Sequence, residues 1–314
     1  MTILFSADGF PTHSWTAAIA RHLPGRGLAV EGRDAYDPAT VDYALVWKQP
    51  HGLFRPLTGL KAVFVLGAGV DKVMTDPHLP ACPIARVVDP DLTMRMTGWV
   101  TMQVLAHQRG FRHHLALQAA HRWEQAEQPA ASAVRVGVMG LGELGRDACA
   151  VLARLGFQVA GWSRTARALD GIATFSGPEG LGPFLARTDI LVSLLPLTPD
   201  TRGLIDRRLI DGLARDGALG GPFLINAGRG GLQVEADILA ALDDGRLAGA
   251  TLDVFETEPL PPESPLWDHP KVTVTPHNAA DSDAEAIIRL IARQIARFEA
   301  GDGLAHVVDP ARGY

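Results

Sequence analysis

In the last third of this chain an arginine, a carboxylate and an imidazole follow one another, each placed directly after or soon after a short β-like run. Arg229 stands between two glycines in Asn226-Ala227-Gly228-Arg229-Gly230, Glu258 ends Asp253-Val254-Phe255-Glu256-Thr257-Glu258 ahead of Pro259, and His277 follows Thr275-Pro276. A guanidinium can hold a carboxylate and its neighbouring carbonyl oxygen through two parallel hydrogen bonds. A histidine, with an ordinary pKa of about 6.5, can deliver or remove a proton near neutral pH. A glutamate paired with that imidazole fixes its tautomer. Each of the three alone reads as an ordinary surface group. Together they are the equipment for gripping a small carboxylate and moving a proton while a nicotinamide moves a hydride.

The hydride carrier has its own signature upstream. Val136-Gly137-Val138-Met139-Gly140-Leu141-Gly142-Glu143-Leu144-Gly145 places Gly-x-Gly-x-x-Gly between an apolar strand and an apolar-periodic helix, the context that the motif requires. Gly140 would supply the tight bend, Gly142 the close backbone approach to a pyrophosphate, and Gly145 close helix–strand packing. Leu141, Glu143 and Leu144 complete a turn whose unpaired helix N-terminal amides favour an anion. About 20 residues further on, a NAD site usually offers an acid to the ribose hydroxyls. Here the chain reads Trp162-Ser163-Arg164-Thr165-Ala166-Arg167, with no acid. Ser163, Arg164, Thr165 and Arg167 suit a 2′-phosphate, because guanidinium pairs with phosphate in a fork. A solvated basic loop is the plain alternative; the missing acid tips the expectation to NADP, with NADPH preferred over NAD.

Alternating strands and helices must position these groups. Thr2 to Ser6, Tyr43 to Trp47 and Lys61 to Leu66 read as strands of a first α/β unit, with a helix through Trp15, Ala18, Ile19 and Leu23. Asp91 to His121 has few breakers and reads mainly as helix. A second unit begins at Val134–Met139 and continues through Gln158–Trp162, Asp189–Leu195, Phe223–Asn226, Ala250–Val254 and Val272–Thr275. The helix after the glycines presents Leu144, Ala148, Val151, Leu152 and Leu155 on one face. Ser282-x-x-Glu285 offers a capping box to a last helix striped by Ile287, Ile288, Ile291, Ile295 and Phe298, and Gly301 can close it.

A chain of 314 residues suits two domains, and 47% apolar against 20% charged residues makes it globular. A formal charge of −6 argues against a nucleic-acid surface. Cys82 and Cys149, far apart, read as reduced thiols rather than a disulfide framework. The other histidines show no ligand spacing, so no metal is expected, and Ser176 and Ser193 lack a nucleophile elbow. Neither a signal peptide nor a membrane span is legible, which makes a cytoplasmic protein the expectation.

On these motifs the chain resembles the D-isomer-specific 2-hydroxyacid dehydrogenase family, within it the glyoxylate/hydroxypyruvate reductase A group. The likeness runs from Leu66-Gly67-Ala68-Gly69-Val70-Asp71 through the glycine turn, Leu194-Leu195-Pro196-Leu197-Thr198-Pro199, Asn226 to Gly230, Leu252 to Phe255, Glu258-Pro259-Leu260-Pro261, Ser264 to Trp267 and Thr275 to His277, and ends at Asp309-Pro310-Ala311-Arg312-Gly313-Tyr314. The resemblance implies two doubly wound parallel-sheet α/β domains with a cleft between them. Residues 1–98 with 284–314 would form a flavodoxin-like substrate domain, and 99–283 a Rossmann-type nucleotide domain. It implies Arg229, Glu258 and His277 as the catalytic set, and amides of Ala68 and Gly69 on the substrate carboxylate. Trp47 would stand near the substrate, and Leu195, Pro196, Ala227 and Asp253 would line the nicotinamide side. A homodimer formed mainly by the nucleotide domain is implied as well. The chain departs from the expected pattern at Lys48-Gln49-Pro50, Gly98-Trp99-Val100 and His277-Asn278-Ala279-Ala280, positions that bear on substrate choice. The resulting expectation is an NADPH-preferring reductase of small 2-oxo acids, glyoxylate and hydroxypyruvate foremost. Its rivals are a dehydrogenase of a bulkier D-2-hydroxy acid and a nucleotide-sensing binding protein of the same fold.

Overall fold

The computed structural model describes residues 1–310, so the closing Ala311-Arg312-Gly313-Tyr314 lies outside the described residues. The chain divides into two compact units, Met1–Leu92 with the segment from Asp281 onward, and Thr93–Ala280.

Five short apolar runs build the first unit: β1 (Thr2–Ala7), β2 (Gly27–Val30), β3 (Val41–Trp47), β4 (Ala62–Val65) and β5 (Ile84–Arg86). They pair in parallel in the order β2-β1-β3-β4-β5, a doubly wound order whose switch point falls between β1 and β3. Both faces are covered, so successive side chains enter two different cores. Ile3, Phe5, Tyr43, Leu45 and Phe64 meet Trp15 and Ile19 of helix Thr12–His22 and the isoleucines of the C-terminal helix Ala284–Glu299. Leu4, Ala44, Val46, Val63 and Val65 face Phe54, Leu57 and Val73 instead.

The second unit carries seven parallel strands: β6 (Arg135–Met139), β7 (Gln158–Ser163), β8 (Ala173–Ser176), β9 (Ile190–Ser193), β10 (Phe223–Asn226), β11 (Gly249–Leu252) and β12 (Val272–Val274). Their order, β12-β11-β10-β9-β6-β7-β8, is the dinucleotide-binding arrangement with its switch point between β6 and β9. Val136, Val138, Ile190, Val192 and Ile225 enter one core, while Met139, Leu191, Leu224 and Leu252 enter the other.

Four local features differ from the sequence reading. The segment expected as one helix is two, Pro90–Gln108 and Phe111–Ala119. They are separated at Gly110, which takes φ of +59°, a left-handed turn open to glycine at little cost. β2, β5 and β8 were not expected; with three or four residues each they are too short to show a period. The helix after the glycine turn buries Gly145, Ala148, Cys149 and Leu152, whereas Leu155 is exposed at its end. The C-terminal helix is capped by Asp283, whose carboxylate accepts from the Ala286 amide at 2.8 Å, and not by Ser282. Glu285 is drawn instead to Arg21 and His22 at the end of helix Thr12–His22. Gly301, with φ of +95°, follows the helix end as expected.

Candidate active site

The site in the second unit is assembled from loops that leave the carboxyl ends of neighbouring parallel strands. β6 delivers the glycine turn, where Gly140 takes φ of +102°; a Cβ there would also press on the Leu194 carbonyl at 2.8 Å. A Cβ on Gly145 would lie 1.8 Å from the Gly140 oxygen, so helix and turn pack in backbone contact. Gly142 is different. It caps helix Glu143–Arg154 with ordinary φ, and a Cβ there would meet nothing within 4 Å. No neighbour among the described residues requires its missing side chain, and the room it leaves sits at a helix N-terminus, whose unpaired amides favour an anion. Leu141 is buried against Gly161, Leu144 is partly buried, and Glu143 pairs with Arg146 in the first turn.

At the end of β7, Ser163 is buried and its hydroxyl donates to the Thr165 carbonyl at 2.8 Å, curling the loop. Arg164, Thr165 and Arg167 are exposed, and the Arg164 guanidinium lies 3.9 Å from Asp200. The loop therefore presents two cations at the strand next to the glycine turn. That fits a phosphate on the adenosine ribose, while the turn fits the pyrophosphate. Leu195 and Pro196 follow β9, with Thr201 donating to the Pro196 carbonyl at 2.7 Å. Ala227 follows β10, and a Cβ on Gly228 would stand 2.7 Å from the Leu195 carbonyl. The fold thus brings Gly140, Leu195 and the start of the Arg229 turn together.

The three chemical residues occupy the ends of β10 and β12 and the loop after β11. Arg229 is half-buried, and its Nη1 donates to the Gly228 carbonyl at 2.8 Å. His277 Nδ1 and Glu258 Oε2 are 2.7 Å apart, with each side chain about a quarter to a third exposed (31% and 24%). That contact joins residues nineteen apart in the chain into one acid–base dyad. His277 has φ of +52°, which is costly outside glycine, and the turn is held from beneath. Its amide donates to the Asp253 carbonyl at 2.8 Å. The Asp253 carboxylate accepts from Thr275 Oγ1 at 2.5 Å and from the Asn278 and Ala279 amides at 3.1 Å each. Asp253 is 1% exposed, so its carboxylate serves the His277 turn.

The expected substrate residues Trp47, Ala68 and Gly69 belong to the first unit. Trp47 ends β3 at that sheet's switch point, stacks on Phe10 at 5.6 Å, and lies over Gly67, where a Cβ would be 2.5 Å from the indole. Ala68 and Gly69 follow β4 and are half-buried. Two of the departures also stand out. Among the described residues, fully buried Gln49 has neither end of its amide hydrogen-bonded, and the buried Trp99 indole nitrogen meets no acceptor. Sequence reasoning missed Asn226 and Gln233 as parts of the site. Both are buried, and the only signal available was a polar amide inside or beside an otherwise apolar strand end.

A Rossmann-type unit carrying a glycine-rich turn, an arginine loop and a Glu–His pair at the carboxyl ends of its parallel strands is the framework of a nicotinamide-dependent dehydrogenase. The chain belongs to the D-isomer specific 2-hydroxyacid dehydrogenase family, whose NAD binding domain it matches over residues 101–279. It is 38% identical over 320 residues to the glyoxylate/hydroxypyruvate reductase A of Serratia proteamaculans (strain 568), all of both chains being covered. Among solved structures it is similar to the NADPH-dependent glyoxylate/hydroxypyruvate reductase of Sinorhizobium meliloti in complex with NADP and sulfate. That chain is 50% identical, with a TM-score of 0.95 and coverage of 100% and 99%. A probable 2-hydroxyacid dehydrogenase of Rhizobium etli CFN 42, in complex with NADP, HEPES and L(+)-tartaric acid, is 46% identical, with a TM-score of 0.94 over 100% and 99% of the chains.

Proposed function

We propose that this protein is an NADPH-dependent reductase of small 2-oxo acids, glyoxylate and hydroxypyruvate foremost, producing the 2-hydroxy acids. The observation that carries the chemistry is the 2.7 Å contact between His277 Nδ1 and Glu258 Oε2. With Nδ1 engaged, Nε2 is the ring nitrogen left to hand a proton to the substrate carbonyl oxygen. Arg229 holds the carboxylate and orients the carbonyl. NADPH supplies the hydride when bound. Glu258 accepts the Nδ1 hydrogen and stabilises the ring while it carries its proton. The substrate specificity rests on the names of the full-length relatives at 38% and 50% identity. The preference for NADPH rests on Arg164 and Arg167 where an acid would otherwise stand.

We infer further that two copies associate through the Thr93–Ala280 unit. Met94 and Met102 on helix Pro90–Gln108, Phe111 and Leu115 on the next helix, and Trp123 on the arm beyond are exposed by 49% to 94%. So many large exposed apolar side chains on successive segments support that reading. No helix among the described residues is long and apolar enough to cross a membrane.

A panel of 2-oxo acids, assayed with both nicotinamide cofactors, tests the reading. NADPH oxidation fastest with glyoxylate or hydroxypyruvate is the expected result. A clear preference for a bulkier 2-oxo acid would transfer the activity to that substrate, and binding of NADPH without turnover on any acid would make the protein a sensor.

A further inference from the structure

We propose that Gln233 is a positioning residue that locks the Arg229 turn to the loop carrying Glu258, so that substrate grip and proton delivery are held in one register. The inference rests on the roles just given to Arg229 and Glu258. Gln233 lies four residues beyond Arg229, past the short 3₁₀ turn Gly230–Leu232, and is 2% exposed. Its Oε1 accepts from Asn226 Nδ2 at 2.7 Å, and its Nε2 donates to the Val254 carbonyl at 2.9 Å.

Both partners control functional loops. The same Asn226 amide donates to the Arg229 carbonyl at 3.2 Å, while Asn226 Oδ1 accepts from the Gly228 amide at 3.0 Å. The Arg229 turn is therefore folded around Asn226, and Asn226 is anchored by Gln233. On the other side, Val254 begins the loop that leads to the dyad, and the next amide, Phe255, donates to Glu258 Oε1 at 3.2 Å. The two loops also touch directly, since a Cβ on Gly230 would lie 1.7 Å from the Phe255 carbonyl oxygen. Glu235 adds an outer tie: its carboxylate accepts from the Glu256 amide at 2.8 Å, and its own amide donates to Glu256 Oε1 at 3.0 Å.

The amide is what this position needs. One end must accept from Asn226 and the other must donate to Val254, and a primary carboxamide on a two-carbon stem offers both while neutral. An apolar side chain of equal length fills the space but deprives one N–H of the Asn226 amide, and the Val254 carbonyl, of the Gln233 partner each has. Because both groups sit under loops, the structure can relax by letting the loops shift apart. Shifts of about 1 Å at reacting groups cost on the order of 100-fold in rate.

The test compares the parent enzyme with Gln233→Leu and Gln233→Met, each as the NADPH-loaded full chain. NADPH stoichiometry and affinity are read by fluorescence titration, glyoxylate reduction by steady-state kinetics, and Arg229 engagement by the affinity of oxamate, a carboxylate–carbonyl mimic that is not reduced. The expected result is parent-like NADPH binding, weakened oxamate binding, and kcat/KM for glyoxylate lowered about 10- to 100-fold per NADPH-competent site, with both KM raised and kcat lowered. Arg229→Lys should also cost less in the Gln233→Leu background than in the parent, because the fork it removes is already misplaced. Parent-like kcat/KM per competent site, or full additivity with Arg229→Lys, overturns the proposal. So does loss of NADPH binding in both variants, which would make Gln233 a residue of the fold alone. A parent that binds oxamate but reduces no 2-oxo acid overturns the proposed function instead, while the variants' oxamate affinities still report on the lock.

Discussion

The imidazole of His277 is held from two directions, by Glu258 at Nδ1 and by a backbone turn that Asp253 fastens with its carbonyl and carboxylate. A side chain so constrained is set for one proton transfer, and His277→Gln keeps much of its size and polarity while removing the acid. Glyoxylate reduction by that variant should fall by roughly 10²–10⁴-fold with NADPH affinity retained. Unaltered turnover would take His277 out of the mechanism. The cofactor preference is also a matter of single residues. Arg164 is exposed at the end of β7 with Asp200 3.9 Å away. A hydrogen bond to a charged group contributes about 1.5–3 kcal/mol, so one such contact to a 2′-phosphate gives roughly a 10- to 150-fold preference. In the parent, kcat/KM with NADPH should exceed that with NADH by at least about tenfold, mainly through KM, and fade with added salt. Arg164→Asp should erase or reverse it. Equal efficiencies with the two cofactors in the parent would return Arg164 and Arg167 to the status of a solvated loop.

Between residue and molecule, the glycine turn separates what the fold demands from what the ligand demands. Gly145 has the Gly140 oxygen 1.8 Å from where a Cβ would go, while Gly142 has open space. Gly145→Ala should therefore destabilise the whole unit. Gly142→Ala should melt like the parent yet raise the KM for NADPH about tenfold, equivalent to about 1.4 kcal/mol of obstructed approach. Identical behaviour of the two variants would count against a pyrophosphate at the turn. Helix Pro90–Gln108 meets the same sheet through His107, whose ring packs against Phe223 at a tilt of 35° with centroids 4.6 Å apart and shares a 2.9 Å hydrogen bond with Thr251. Burial, with the like charge of Arg112 adding to it, pushes this imidazole down from 6.5 to about 4. Between those two values the unfolded chain holds a proton that the folded chain lacks, so stability rises with pH across that window and is lost as pH falls through it. Thermal melts from about pH 4.5 to pH 7 should show that slope, and His107→Gln should flatten it. An unchanged slope in the variant would assign the acid sensitivity to other groups.

At the scale of the whole molecule the open question is how many chains make the enzyme. Trp123 is 94% exposed on the arm after helix Phe111–Ala119, with Met94, Met102, Phe111 and Leu115 exposed on the preceding helices. Paired chains would cover this surface. Sedimentation of the parent should show a dimer, and replacing Phe111 and Leu115 with glutamate should shift it toward the monomer, since charged groups are disfavoured at the centre of an interface. A parent that sediments as a monomer at micromolar concentration would leave that apolar surface without the role given to it.

Much of this was written into local stretches of chain. The alternation of apolar runs, the glycine spacing around residue 140 and the acid-free loop at Arg164 each depend on neighbours in sequence, and such patterns survive being read one segment at a time. The break at Gly110 and the short strands β2, β5 and β8 were not legible, because a few residues carry too little periodicity and the sheet supplies the rest of their stability. The cap of the last helix moved from Ser282 to Asp283 because Glu285 found cations on another helix, 264 residues away in the case of Arg21. The same holds for Gln233. Its type was visible, but its meaning depends on an amide donor seven residues upstream and a carbonyl acceptor twenty-one residues downstream, brought together only when β10 and β11 lie side by side. Sequence by itself determined which groups the chain owns and which segments carry them; tertiary structure decided which buried polar atoms meet, since a desolvated donor or acceptor must be satisfied by whatever the packing brings within reach.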